Sequence, residues 1–126
     1  MAVGAIAAAM WGLSPAAVVY VHVEPVDGRK GINGLVALVE QSLKRDVFAP
    51  ACFVFRPRRC DRIKILYWDR NGFWLCQKRL ERDRFRWPRG ETPEISLSLT
   101  QLSWLLSGYD LNAMRGHAAL HFRRAS

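Results

Sequence analysis

Arg62-Ile-Lys-Ile-Leu-Tyr-Trp-Asp-Arg-Asn-Gly-Phe-Trp-Leu-Cys-Gln-Lys-Arg-Leu80 is the stretch on which the fold turns. Its two halves alternate in polarity, and Asp69, Arg70, Asn71 and Gly72 between them are turn formers. A period of two belongs to a strand, so the spacing predicts strands over Arg62–Trp68 and Phe73–Leu80 joined as an antiparallel hairpin. A two-residue Asn-Gly turn and a four-residue loop give the same face assignment, because both preserve parity. One face then carries Ile63, Ile65, Tyr67, Trp74, Cys76 and Leu80, with Lys78 as the exception, and reads as a core face. The other carries Arg62, Lys64, Leu66, Trp68, Phe73, Leu75, Gln77 and Arg79: a basic end, and an aromatic end near the turn.

Working outward, Cys52 to Arg56 alternates weakly and is a short strand that Pro57 ends. Arg84 to Trp87 reads as a further short strand after a turn at Glu81, Arg82 and Asp83. Val18 to Val23 is β-branched and aromatic and reads as another. Ile32, Leu35, Val36, Val39 and Leu43 recur at helical spacing, which predicts a helix from about Gly31 to Arg45 with one buried face. Lys44 and Arg45 suit its C-terminal dipole, and Pro50 bars continuation. After a loop at Pro88 to Pro93, a second helix is expected from Thr100 as N-cap, with Leu99 and Trp104 as a hydrophobic staple. Leu102, Leu105, Leu106 and Tyr109 would form its buried stripe and Gly108 its C-terminal cap. The expected fold is a single α+β domain, an antiparallel β-meander packed by two α-helices. Residues 1–17 read as an Ala-rich leader, 18–112 as the domain and 113–126 as a basic flexible tail.

The chain has 126 residues, one domain's worth, and its 50% apolar and 11% aromatic content exclude a wholly disordered chain. Nineteen basic residues face 11 acidic ones, a net charge of +8. Between Arg56 and Arg89 stand ten Arg and two Lys against Asp61, Asp69, Glu81 and Asp83, and the remainder of the chain is neutral. The whole positive charge therefore lies in one segment. Arginine in this excess favours bidentate contact with phosphate or carboxylate, and a polyanion is the first partner to consider. The plain alternative is a solvated, Arg-rich surface. Arg56, Arg58, Arg59, Arg62 and Lys64 form one basic run; Lys78, Arg79, Arg82, Arg84, Arg86 and Arg89 form a second. A meander would bring both to the end of the sheet opposite the Asn-Gly turn. Trp68 and Phe73 would lie at the far end, as ordinary buried aromatics or as contacts for a protein partner.

Signals for chemistry are weak. Asp27, Asp61, Asp69 and Glu81 invite metal-dependent phosphodiester cleavage, but their spacing has no signature, and turn formation or a neighbouring Arg accounts for Asp61, Asp69 and Glu81. His117 and His121 stand at i, i+4 without a third ligand nearby. Cys52, Cys60 and Cys76 form no CxxC pair and read as reduced thiols in a reducing cytoplasm. No serine elbow or glycine-rich phosphate loop is present. An enzyme is the poorer reading, and neither a catalytic residue, a metal nor a cofactor is assigned. The uncharged segment Met1 to Val21 has no basic n-region and is interrupted at Gly12, Ser14 and Pro15, so a membrane helix is not expected.

Pro25-Val-Asp-Gly-Arg-Lys-Gly-Ile-Asn-Gly-Leu35, Phe53-Val-Phe-Arg-Pro-Arg-Arg-Cys-Asp-Arg-Ile-Lys-Ile-Leu-Tyr-Trp-Asp69, Gly72-Phe-Trp-Leu-Cys-Gln-Lys-Arg-Leu-Glu81 and Arg84-Phe-Arg-Trp-Pro88 carry a resemblance. Over roughly Val18 to Tyr109 the chain resembles the accessory protein of insertion-sequence-66-type transposable elements, the second-frame product encoded beside the transposase. The chain departs from the family's pattern at several points. Gly28 stands where the family has a bulky apolar residue, Cys60 where it has glycine, and Arg70 where it has a small turn residue. Val47-Phe-Ala-Pro50 replaces a Pro-Phe-Ser-Gly type, and the N-terminus is longer.

The resemblance implies a non-catalytic accessory factor in DNA transposition, cytoplasmic and nucleoid-associated. Its implied partners are transposon-end or target DNA and the transposase of the same element. The family's basic motif falls on Arg56, Arg58, Arg59, Asp61, Arg62, Lys64, Lys78, Arg79 and Glu81. The expected nucleic-acid contacts are Arg56, Arg58, Arg59, Arg62, Lys64, Lys78, Arg79, Arg82, Arg84 and Arg86, with Trp68 and Phe73 for a protein partner. Two alternatives carry different consequences: a module that binds only the transposase, and a metal-dependent nuclease.

Overall fold

Trp68 pairs with Phe73, Asp69 with Gly72 and Arg62 with Arg79. The central hairpin therefore has the register of the four-residue turn, closed through Arg70 and Asn71 rather than Asn71 and Gly72. Arg70 takes a left-handed conformation, φ 50°, at the first central position where hairpin turns of this kind favour glycine. Working along the chain, the elements of this computed structural model are β1 (Val18–His22), α1 (Ile32–Leu38, continued by a π-helical turn over Val39–Leu43), β2 (Ala51–Phe55), β3 (Arg62–Asp69), β4 (Gly72–Arg79), β5 (Glu94–Leu97) and α2 (Leu99–Leu106). The structure describes residues 17–114, so residues 1–16 of the expected leader and residues 115–126 of the expected tail, His117 and His121 included, lie outside the described residues.

The sheet order is β4-β3-β2-β1-β5. β2, β3 and β4 form the expected antiparallel run. β1, however, lies parallel to β2, so the sheet is mixed and not a pure meander. A parallel pair needs a crossover, and the segment containing α1 supplies it. The second correction concerns the edge. Arg84 to Trp87 is not a strand; the fifth strand is Glu94–Leu97, antiparallel to β1. Phe85 and Trp87 are instead buried anchors (3% and 8% exposed), with the Trp87 indole N–H donating to the His22 carbonyl at 2.9 Å.

Both faces of the sheet are covered. Val19, Val21, Cys52, Val54, Ile63, Ile65 and Tyr67 pack with Leu99, Leu102 and Leu105 of α2, and Cys76 and Leu80 lie against the same cluster. That is the core face expected from the alternation. The opposite face also buries a core: Phe53, Phe55 and Leu66 pack with Leu35, Val39 and Leu43 of α1. Each such large apolar side chain removed from water contributes about 1.5–3 kcal/mol. This burial outweighs the polarity of the residues that alternate with it, so the basic-to-aromatic face is exposed only at its two ends.

The helices begin and end for identifiable reasons. α1 widens at Val39, and Lys44, left-handed at φ 53°, ends it; the Arg45 N–H reaches back to the Val39 carbonyl at 3.1 Å. The helix therefore stops just short of Arg45. Ser98, not Thr100, caps α2. Its hydroxyl accepts from the Gln101 N–H at 3.1 Å, while the Gln101 side chain accepts from the Ser98 N–H at 2.8 Å, a complete capping box. The staple positions then fall to Leu97 and Leu102, both buried in one cluster, instead of Leu99 and Trp104. Gly108 lies just past the helix at φ 94°, the left-handed conformation that an α-carbon without a side chain adopts at little cost. Tyr109, expected on the buried stripe, is 59% exposed.

Candidate nucleic-acid interface

The two basic runs meet at one end of the sheet. β2 runs into Arg56, and a tight loop closed by the Cys60 N–H on the Pro57 carbonyl at 3.0 Å leads back into β3. Cys60, at φ 58°, is left-handed. This conformation disfavours a side chain, which accounts for the glycine of the resembling pattern. The second run is fastened to that loop through the backbone: the Leu80 N–H donates to the Asp61 carbonyl at 2.8 Å and the Phe85 N–H to the Cys60 carbonyl at 2.9 Å.

The side chains differ in what they offer. Arg58, Arg59, Arg82, Arg84 and Arg86 are exposed and make no ion pair among the described residues. Arg79 is exposed but pairs with Glu81 at 3.1 Å. Arg62 lies 3.5 Å from Asp61, an ion pair without hydrogen-bond geometry, since neither of the two contacting atoms has a hydrogen-bond partner. The Arg79 pair is a surface pair, which contributes little and leaves the cation reachable by solvent, whereas the contacting atoms of the Arg62 pair are buried and Arg62 as a whole is half-buried. Arg56 is held half-buried: its guanidinium donates to the Val23 carbonyl at 3.2 Å and lies over the Trp87 ring.

Two of the expected contacts are committed elsewhere. Lys64 is 8% exposed. Its ammonium donates at 2.7 Å to each of the Gly28 and Lys30 carbonyls. Burial lowers its pKa from the ordinary lysine value. Leu66, two residues on, lies in the core beneath α1, and the same face carries Lys64 inward. Lys78 projects to the opposite face, where its ammonium donates to the Leu106 carbonyl at 2.9 Å, the negative end of α2. Lys64 is thus a loop anchor; Lys78 is exposed but lies on the other face of the sheet, at the end of α2.

Beside the cluster lies an open cleft of about 390 Å³ between the 25–28 segment and Pro57, Arg58 and Arg59. Val26 bridges to Pro57 in parallel, and its N–H donates to the Arg56 carbonyl at 2.9 Å. The Asp27 carboxylate accepts from the Arg29 side chain at 3.1 and 3.0 Å and from its backbone N–H at 2.9 Å. The donors of Arg29 hold the Asp27 carboxyl down at about 2.

At the other end of the hairpin, Trp68 and Phe73 meet edge to face, 5.0 Å between centroids. Phe48 joins them at 4.9 Å from Trp68 and 5.8 Å from Phe73. Phe48 is 54% exposed and has no counterpart among the residues singled out from sequence; a phenylalanine in a polar loop before Pro50 was the available signal. Trp74 lies on the opposite face, stacked on Tyr67 and donating its indole N–H to Asp69 at 3.0 Å.

The acids that suggested metal chemistry are each paired with a nearby arginine: Asp27 with Arg29, Asp61 with Arg62, Asp69 with Arg70 and Glu81 with Arg79. Among the described residues no three His, Cys, Asp or Glu side chains group so as to hold a metal ion. Burial pushes the Cys52 thiol up to about 12 and raises Cys60 and Cys76 as well, the reverse of an activated nucleophile. Among the described residues no helix is long and apolar enough to cross a membrane.

Known proteins place this arrangement in a lineage. An uncharacterized protein of Sinorhizobium fredii (strain NBRC 101917 / NGR234), y4jC, is 41% identical over 92 residues, 73% of this chain and 79% of that protein. A second uncharacterized protein of the same strain, y4hO, is 39% identical over 92 residues, 73% of this chain and 80% of that protein. No solved structure matches the chain. The family described as IS66 Orf2 like protein matches residues 17–116, the whole of the sheet and its helices. The chain therefore belongs to the IS66 Orf2-like family, which associates it with the transposition of IS66-type insertion elements.

Proposed function

We propose that the protein is a non-catalytic accessory factor in transposition that holds DNA through phosphate contacts from Arg58, Arg59, Arg82, Arg84 and Arg86, flanked by Arg62 and Arg79. The observation that carries this reading is the joining of the two basic runs through the Phe85–Cys60 and Leu80–Asp61 backbone hydrogen bonds. They turn two separate stretches of sequence into one exposed cationic surface. Such a surface gains affinity by releasing counterions from DNA. The contacts are to backbone phosphates, so they position the protein and carry no base sequence by themselves. A protein acting this way in the cell is nucleoid-associated. The test is a DNA titration over a range of salt concentration. Arg59→Glu combined with Arg84→Glu takes one exposed arginine from each run. The pair should weaken binding to every sequence alike and reduce the slope of log affinity against log salt by about one unit per lost contact. Unchanged affinity would overturn the reading.

A second surface suits a protein partner. Phe48, Trp68 and Phe73 form an aromatic cluster at the end of the sheet away from the joined arginine runs. Aromatics of this kind anchor protein interfaces, and the partner proposed for them is the transposase of the same element. The two ends of one rigid sheet would then join protein to DNA.

A further inference from the structure

The cleft beside the arginine cluster has a chemistry that phosphate contacts do not use. It is lined by Pro25, Val26, Asp27 and Gly28 from one segment and by Pro57, Arg58 and Arg59 from the other. Its volume, about 390 Å³, falls in the lower part of the range for small-molecule sites, roughly 300–1,000 Å³. That suits one nucleotide and not a groove or backbone of intact duplex. The loop that forms one wall is held in place: Lys64 ties the Gly28 and Lys30 carbonyls, and Val26 is bonded to the Arg56 carbonyl.

We infer that this cleft receives the base of an unpaired nucleotide at a DNA end or distortion, with its phosphates on Arg58 and Arg59 and its amino group on the Asp27 carboxylate. This deepens, and rests on, the phosphate-binding reading of the basic end. The proline rings give a base an apolar surface to pack against. The Asp27 carboxylate is paired with Arg29, but Oδ2 accepts only one of the Arg29 bonds and keeps a lone pair for an N–H of the base, while the phosphates go to the arginines. An ionised carboxylate has acceptors only, so it selects bases that offer an amino group. Cytosine offers the two hydrogens of its amino group, whereas thymine offers only N3–H, set between two carbonyl oxygens that a carboxylate repels.

The test compares three labelled DNA probes: a blunt duplex, the same duplex with a one-nucleotide dC overhang, and the same with a dT overhang. The unsubstituted protein should bind the dC probe tighter than the blunt one by about fivefold or more, with dT between them. Gly28→Leu fills the cleft; a Cβ there already comes to 3.2 Å from Pro57. It should abolish the overhang preference and leave blunt-duplex affinity unchanged. Asp27→Ala, at an exposed position that the core does not depend on, should remove the difference between dC and dT. Equal binding of the three probes by the unsubstituted protein would overturn the cleft proposal while leaving the phosphate reading intact. So would an overhang preference that survives in folded Gly28→Leu, or a dC preference that survives in Asp27→Ala. Failure to bind any of the probes would overturn both.

Discussion

The backbone N–H of Phe85 donates to the carbonyl of Cys60 at 2.9 Å, and this bond joins the two arginine runs. Phe85 is itself buried in the core beneath α2. The position of Arg84 and Arg86 on either side of it is therefore set by core packing. The backbone that carries these arginines is anchored for that reason, and an anchored loop binds with less loss of loop freedom than a mobile one.

Lys64 and its neighbours separate structural from electrostatic roles. Lys64→Met removes two charge-assisted hydrogen bonds to the Gly28 and Lys30 carbonyls. The expected cost is about 1–3 kcal/mol of folding stability, measured by urea unfolding. The salt dependence of blunt-duplex binding by the folded variant should match that of the unsubstituted protein, because Lys64 is not in the exposed cluster. A drop in salt slope equal to that of an exposed arginine would contradict its role as an anchor.

Arg70 adopts φ 50° in the hairpin turn. A left-handed L-residue costs about 1–2 kcal/mol, and glycine returns part of that gain, about 0.5–1 kcal/mol, through the entropy of the unfolded chain. Arg70→Gly should stabilise the fold by up to about 1 kcal/mol, seen as a higher thermal midpoint. Cys60 shares the backbone conformation but is buried, so Cys60→Gly also loses core contact and should gain less.

Asp27 and Arg29 give a pH signature. The ordinary Asp value of 3.8 is lowered to about 2 in the folded chain. The ionised form is favoured by folding, so the pair supports the fold above pH 3.8 and that support fades as pH falls toward 2. An NMR titration of the Asp27 carboxyl should show a midpoint near 2, moving up toward 3.8 in Arg29→Ala. An unchanged midpoint in that variant would show that Arg29 is not the cause.

Phe48→Ala tests the aromatic end. The residue is 54% exposed, so the loss of its contacts with Trp68 and Phe73 should cost no more than about 1.5 kcal/mol. Capture of the transposase by the tagged protein should fall severalfold, with DNA affinity unchanged. Equal capture would remove the aromatic end as the docking surface.

The hairpin from Arg62 to Leu80 was legible because its information is local. A period of two and a four-residue turn set which side chains share a face, and parity made that result independent of the turn's detail. The same local logic located both helices and concentrated the charge between Arg56 and Arg89. Strand partners are not local. Nothing in Val18–His22 states that it lies parallel to Ala51–Phe55 and antiparallel to Glu94–Leu97; those pairings depend on the α1 crossover and on which edges remain open. The Arg84–Trp87 stretch has strand-like alternation, yet burial of Phe85 and Trp87 in the core won over pairing. The same competition decided the basic residues. Sequence determined how many arginines lie in the segment and that the hairpin returns them to one end. Only the tertiary structure decided that Lys64 turns inward, that Lys78 faces the end of α2, and that Arg58, Arg59, Arg82, Arg84 and Arg86 are left exposed, because the covering of the second sheet face by α1 fixes which polar groups keep access to water.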